Sequence, residues 1–583
     1  MDVNLRVTDA PEESSFSDLV SGDNVLSIPL FQRPYRWTNK HLQLLLDDVE
    51  AVSEDTAASV FLGVIVTYSR GTGPGRPVTW EVVDGQQRVT TLYLLVMAAI
   101  EVASRKGAND WAAAVTGSYL LVRPLASNPV NTKLVPSYAD RAQFAALWAR
   151  IADLPGLKAD KSFAFNPPMP PPASGPTEGE MADQYRRLRQ HLARMADAEG
   201  VDALERFVEI VVRHLSFVSI SLRDPAVAPK IFERLNARAE PVTIADLVRN
   251  EVFSRSGGDA VAAQHVFNTY WEPFAASFKA TNTDLAKFLF PYGLIGTPNL
   301  RKADLFAELR RRWSGYSSPQ DIIADLVRYR GTYLALEGGV ADPDLPAEIS
   351  RHLHRVHSVG RPSSTYASIL RLVDGWKQGA VSEGVVVDIL TRLESFLFRR
   401  AIMGIEPTGL HAVFKGLWNE LVGPGDGSDL VGDDFQIAIS AKPTIVWPNG
   451  EQFSVAVRIG NLYGRKVRNY ALREHEASLS AETASDIFQV EHVAPQSATD
   501  AWREKMGEPY DRLIHTWGNL VPISDKMNPA IGQKAYALKR PELAKSMFAN
   551  ARDIAETCED WTAESLAARN QAIADWACTR WPH

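Results

Sequence analysis

The sequence predicts a multidomain α+β protein on three observations. Its 583 residues are too many for one ordinary hydrophobic core, so two to four domains are expected. Strand-like and helix-like patterns mix before about residue 255, a helical pattern runs from about 260 to 400, and a mixed pattern resumes from about 440. Two stretches read as linkers or long loops: FNPPMPPPASGPTEGE (165–180), whose prolines and glycines block helix and ladder, and LVGPGDGSDLVGDD (421–434). The expected domains are 1–255, 256–400 and 401–583.

In chain order, a helix is expected from about Asn39, a strand over FLGVIVTY (61–68), a hairpin-like turn at RGTGPGRP (70–77), a strand over VTWEVVD (78–84) and a helix from about Thr90. Helices follow over MADQYRRLRQHLARMADA (181–198) and from about Val201, then a strand over LSFVSISL (215–222) and a helix from about Ala228. No internal repeat is visible. Hydrophobic residues make up 45% and charged residues 23%, the usual globular mix. With a net charge of −8, a nucleic-acid partner needs a local basic patch. The two cysteines, Cys558 and Cys578, exclude a disulfide framework and a cysteine-based zinc finger, and they fit a reducing cytosol. The N-terminal residues lack a signal pattern, and the apolar run LYLLVMAAIEVA (92–103) is too short to span a bilayer. A cytoplasmic protein without a membrane partner is expected.

The stretch EVVDGQQRVTTL (81–92) runs a strand into a helix through Asp84 and Gly85. Such a corner suits an anion, because helix-start N–H groups point outward and the macrodipole favours negative charge. Gly85 allows a tight turn, Arg88 offers a planar fork of donors, and Gln86 and Gln87 can face a base, a sugar or a water. Asp84 can hold a metal or a ribose hydroxyl. An ordinary turn, with Asp84 as cap and Arg88 in a surface pair, explains the same string. Upstream, IPLFQRPYRW (28–37) could bring Gln32, Arg33 and Arg36 to the same anion, with Tyr35 and Trp37 anchoring the loop. Downstream, APKIFERLNARAEPVTIADLVRN (228–250) has a stripe of Ile231, Phe232 and Leu235, then Asn236 and Arg238 at the helix end, with Thr243 as the next N-cap. No P-loop is present.

Toward the C-terminus, DIFQVEHVAPQ (486–496) ends a strand in Glu491-His492. HTWGNLVPISDKMNPAIGQKAYALKR (515–540) then reads as a turn at Gly518, a short strand and a helix from about Asp525. This strand–strand–helix layout supplies the parts for phosphodiester hydrolysis. His492 is the candidate base, with His515 as competitor. Glu491 and Asn528 offer hard oxygens to a divalent ion, and Asn519 can hold the imidazole in one orientation. A satisfied structural histidine and an amide that only caps a helix are the bland alternatives. The segment RIGNLYGRKVRNYALR (458–473) has five basic residues, no acid and two tyrosines. Arg465, Lys466 and Arg468 are therefore candidate DNA contacts, with Lys534 a further one. His352, His354 and His357 are spread around a helix and are expected at the surface.

The order IPxFQRxYxW, FLGxIV, VVDGQQRxTTL and IFxxLNxRxxPxxxxDLxRN resembles the N-terminal domain of the GmrSD-like modification-dependent restriction enzymes, a family that includes phosphorothioate-sensing antiphage effectors. KLVPSYADRAQF (133–144), with Asp140 and Arg141, is similar to a further family segment. The resemblance implies a ParB/sulfiredoxin-like α+β domain that hydrolyses nucleoside triphosphates, GTP foremost. Carried over by position, it places Gln32, Arg33, Arg36, Asp84, Gly85, Gln86, Gln87, Arg88, Asn236 and Arg238 at the nucleotide, with Asp84 and Arg88 catalytic. Asp246 and Arg249 fall in the same last motif. Ala239 stands where the family has glycine, a departure that bears on nucleotide affinity. The pattern VEHVAPQ…WGNLVPIS…N…K, followed by Trp561 and Arg569, resembles the family's C-terminal HNH (ββα-metal) nuclease domain. That likeness implies His492 as general base, Glu491 and Asn528 as ligands for Mg2+ or Mn2+, and Asn519 as an orienting or structural residue. The implied partner is double-stranded DNA, modified or phage-derived, with a homo-oligomer among the options. A nucleotide-gated DNA-binding module that recruits a separate nuclease is the competing expectation.

Overall fold

The chain divides into two units, one of residues 1–272 with 315–322 and one of residues 273–314 with 323–583. The computed structural model describes residues 11–29, 32–54, 60–69, 77–122, 131–158, 177–222, 243–255, 260–360, 362–480, 485, 487–508, 510–525, 527 and 532–583. Asn236, Arg238, Ala239, Asn528, the RGTGPGR turn and the expected helix near Ala228 lie outside them. The result is a mixed α+β protein with more helix than strand.

The first unit is organised by a six-stranded mixed sheet. Its strands are β1 (Glu12–Ser15), β2 (Asn24–Ser27), β3 (Val60–Ser69), β4 (Val78–Asp84), β7 (Leu134–Val135) and β8 (Leu215–Leu222), in the order β1-β8-β3-β4-β2-β7. A separate short ladder pairs β5 (Leu121–Val122) with β6 (Asn131–Thr132). The strands β3 and β4 are antiparallel, whereas β4 runs parallel to β2 and β3 parallel to β8. Three helices that complete this core are α1 (Asn39–Glu54), α2 (Gln86–Arg105) and α3 (Glu180–Glu199). In α2 every residue except Arg88 and Arg105 is buried, so this helix is the centre of the unit rather than an amphipathic cover. The one acid in its middle, Glu101, is reached by Arg105, Arg150, Arg189 and the Tyr185 hydroxyl, as a buried carboxylate requires. A fourth helix, α4 (Ile244–Ser254), opens with Thr243 and Asp246 in a reciprocal capping box.

Helix α2 begins four residues earlier than the sequence suggested. Threonine is a good cap, which points to Thr90, but Gly85 takes a left-handed conformation at φ 93° and starts the helix itself. Gln86, Gln87 and Arg88 therefore form its first turn.

The second unit is mainly helical and carries a two-stranded antiparallel ladder, β9 (Gln489–His492) with β10 (Leu520–Ile523). Residues 273–314 and 323–400, expected as a connector, cluster with this ladder. The helix α5 (Glu383–Met403) is buried along much of its length. Around the ladder lie α6 (Arg468–Leu479), α7 (Tyr536–Leu543), α8 (Ala549–Thr557) and α9 (Ala563–Arg580), over a core that includes Val493, Trp502, Val521, Tyr536, Phe548 and Trp561. Asp525 sits in a turn, and most of the residues that follow it, where a helix was expected to begin, lie outside the described ones. Of the three histidines expected at the surface, His352 is buried and His357 is half-buried, its Nδ1 2.9 Å from the Leu336 carbonyl. Their helix packs one face inward, and His352 lies on it with Leu353 and Val356. No helix among the described residues is long and apolar enough to cross a membrane.

Candidate functional site

Two strand corners carry the chemistry. At the first, β4 ends in Asp84 and α2 begins at Gln86. A Cβ on Gly85 would meet Ile65 Cγ1 at 2.9 Å, so glycine is required by space as well as by φ. No side chain caps this helix start. Several of the expected anion contacts are committed to the fold. Arg88 Nη1 donates to the carbonyls of Leu62 (3.1 Å) and Val64 (2.9 Å), tying down β3 beside its bulge. Burial pushes its guanidinium below the ordinary value, and Asp84 pulls it back. Gln87 Oε1 accepts from the Arg36 backbone N–H at 2.8 Å, and its amide nitrogen donates to the Pro34 carbonyl. Gln32 donates to the Val83 carbonyl at 3.1 Å. The loop bearing Arg33 and Arg36 is thus pinned to the β4–α2 corner, and Tyr35 anchors it through Asp140 (2.8 Å) and Thr91 (2.7 Å). Burial pushes Asp140 up to about 6 against the pull of Ser137 and the Tyr35 N–H.

What remains open at this corner is a set of acceptors. Gln32 Oε1 and Gln86 Oε1 are buried without a partner among the described residues. Asp84 is half-buried, and no described side chain hydrogen-bonds to it. Buried acceptors without donors are costly, and a ligand carrying N–H or O–H groups would satisfy them. Asp246 binds Thr243 through one oxygen and Arg249 through the other, at 2.8 Å, so both motif residues are engaged. Arg141 donates to Gln264 at 2.9 Å; burial lowers it to about 10.

At the second corner, the register pairs His492 with Leu520 and Glu491 with Val521. His492 is buried, at 4% exposure, and Glu491 is half-buried. His492 Nε2 lies 3.2 Å from His515 Nδ1, and the Gln496 amide nitrogen lies 3.1 Å from His492 Nδ1. The Tyr463 ring meets His492 at 4.5 Å and stacks on His515 at 5.5 Å. Burial, then His515, Lys539 and Arg468, push His492 down to about 3, so the imidazole is neutral across the physiological range.

Asn519 does not orient that imidazole. Its amide oxygen accepts from the Ala494 N–H (2.8 Å) and Trp561 Nε1 (3.1 Å), while its amide nitrogen donates to the carbonyls of Ala494 (2.9 Å) and Ile514 (2.7 Å). With every position used, the side chain is a latch across the two strands. Trp561, from the tail motif, closes it, and Arg569 of the same motif pairs with Asp553 and donates to Asn550.

Lys539, which sequence reasoning passed over, has a fully buried side chain that donates to Glu491 Oε1 and to the His492 carbonyl, both at 2.9 Å. The signal was available: Lys539 shares the buried face of α7 with Tyr536 and Leu543. Glu491 Oε2 has no hydrogen-bond partner among the described residues, so one hard oxygen fits a divalent ion. Among the described residues no group of three acids, histidines or cysteines could hold a metal. Of the expected DNA contacts, Arg468 lies over the Tyr463 ring at 4.7 Å, and Lys466 and Lys534 are exposed. Arg465 instead packs on Gly404, at the end of α5, leaving no room for a Cβ there.

Both corners fall inside family matches. Residues 16–253 match the N-terminal domain of GmrSD restriction endonuclease, and residues 451–576 match the C-terminal domain of GmrSD restriction endonucleases. The chain belongs to the GmrSD-like family of type IV restriction enzymes. No curated protein matches it. For a GmrSD-like chain the expected class of activity is DNA cleavage in restriction defence.

Proposed function

We propose that this GmrSD-like chain cuts modified or phage-derived double-stranded DNA with an HNH-type site in its second unit. A nucleoside triphosphate, GTP in the first instance, is bound and hydrolysed by a ParB/sulfiredoxin-like first unit and regulates cutting. The observation that supports the nuclease reading is the buried His492 imidazole at the β9–β10 corner, with His515 at its Nε2 and Gln496 at its Nδ1. Neutral imidazole is the form that accepts a proton from an attacking water, and an arriving phosphodiester raises its proton affinity. Mg2+ or Mn2+, held by Glu491 and Asn528, would supply charge stabilisation at the leaving 3′ oxygen. Lys539 keeps Glu491 in place, and the Asn519 latch holds the loop that follows His492. Arg468 and Lys466 supply positive charge for the DNA backbone.

For the first unit, the unpartnered oxygens of Gln32 and Gln86 beside an uncapped helix start support a nucleotide, whose base and ribose carry donors and whose phosphates suit the N–H groups. A second reading, nucleotide binding without turnover in a module that recruits a nuclease, is favoured by one observation: Arg88 Nη1 is committed to two carbonyls. Purified protein is incubated with plain, phosphorothioated and glucosylated plasmid, Mg2+ or Mn2+, and each nucleotide. Nicked or linear product together with released phosphate supports the first reading. Intact plasmid with bound but unhydrolysed nucleotide supports the second.

A further inference from the structure

We infer that His515 is the positioning residue of the nuclease site, receiving the Nε2 proton of His492 and leaving Nδ1 as the face offered to water. This rests on the reading of His492 as general base. An amide nitrogen only donates, so Gln496 makes His492 Nδ1 an acceptor and places the ring proton on Nε2, toward His515 Nδ1 3.2 Å away. The two partners differ in how firmly they are held. Gln496 is exposed and can be displaced by a water. His515 is half-buried, in a turn fixed by the Asn519 amide on the Ile514 carbonyl (2.7 Å) and by the Tyr463 N–H on its own carbonyl (3.3 Å). The Tyr463 ring lies nearly parallel to His515, at 16°, and meets His492 at its edge, so it holds both imidazoles.

A half-turn of the His492 ring would exchange nitrogen for carbon at both contacts and lose both hydrogen bonds. His515 thereby does for this histidine what the carboxylate does in a Ser-His-Asp triad, setting tautomer and orientation without taking the proton. In the step itself the water oxygen bonds to phosphorus while the P–O3′ bond breaks. The water proton passes to His492 Nδ1, and the 3′ oxygen leaves with the bonding pair. The imidazolium keeps donating from Nε2 to His515, now as a charge-assisted bond.

The test compares His515→Leu with His515→Asn, whose amide oxygen can accept in place of Nδ1, using plasmid nicking with metal and nucleotide present. His515→Leu is expected to lower kcat by about 10- to 100-fold with KM for DNA unchanged, and His515→Asn to restore most of it. In spectra of 15N-histidine-labelled full-length chain, with His492 assigned by its loss in His492→Ala, the Nε2–H tautomer is expected for wild type and His515→Asn, and a mixture for His515→Leu. An active wild type with His515→Leu within twofold of it, or with His492 carrying its proton on Nδ1, overturns the inference alone. A wild type that leaves every plasmid intact overturns the nuclease reading and the inference with it.

Discussion

The two corners are built from similar parts and use them differently. At the β4–α2 corner, most motif side chains hold backbone: Arg88 the β3 carbonyls, Gln87 the Arg36–Pro34 loop, Gln32 the end of β4. At the β9–β10 corner, side chains from separate segments converge on one imidazole, and a different residue, Asn519, does the holding. A motif string thus mixes residues that shape a site with residues that face a ligand, and only placement separates them.

The sharpest way to break this contrast is one substitution at each corner. His492→Ala is expected to abolish DNA cutting, a fall of about 10³-fold, while phosphate release from nucleotide persists. Arg88→Ala should reduce nucleotide turnover and also lower the unfolding temperature, because it frees two strand carbonyls; an unchanged melting curve would return Arg88 to the ligand-facing class. Next in size, Lys539→Met leaves Glu491 half-buried without its cation and is expected to destabilise the second unit by about 3 kcal/mol in denaturant titration. Gly85→Ala should cost about 2 kcal/mol through backbone strain and contact with Ile65, and weaken nucleotide binding measured by calorimetry.

A pH-dependent effect is expected of the second unit. Burial, then Arg569 for His475 and Arg355 for His352, lowers both imidazoles from 6.5 to about 4. The unfolded chain therefore binds protons that the folded second unit refuses between those values, and stability falls as pH drops from about 6.5 to 4. His475→Gln should flatten that slope in thermal unfolding by about 1.4 kcal/mol per pH unit. Smallest is Gln86→Met, which removes an unpartnered oxygen: stability should hold within about 0.5 kcal/mol while nucleotide affinity drops.

Strands β3, β4, β8, β9 and β10 were legible because short apolar runs end in glycine, proline or charge. The start of α2 was not, because a left-handed glycine replaced the side-chain cap that the eye looks for. Within the nuclease corner, the Glu491-His492 pair was legible as a motif. The contact of Lys539 with Glu491, unlike its place on the helix face of Tyr536 and Leu543, was not, nor was the pairing of His515 with His492, since both depend on how α7 and the 513–519 turn close over β9. Arg465 shows the converse: a basic run reads as one surface, yet one of its members turns inward onto Gly404.

The depth of α2 has a consequence for how ligand occupancy would be noticed. A helix enclosed over nearly its whole length exchanges its amide hydrogens only when much of the surrounding unit opens. A nucleotide seated at its first turn would therefore slow deuterium uptake throughout the first unit rather than leave a local footprint.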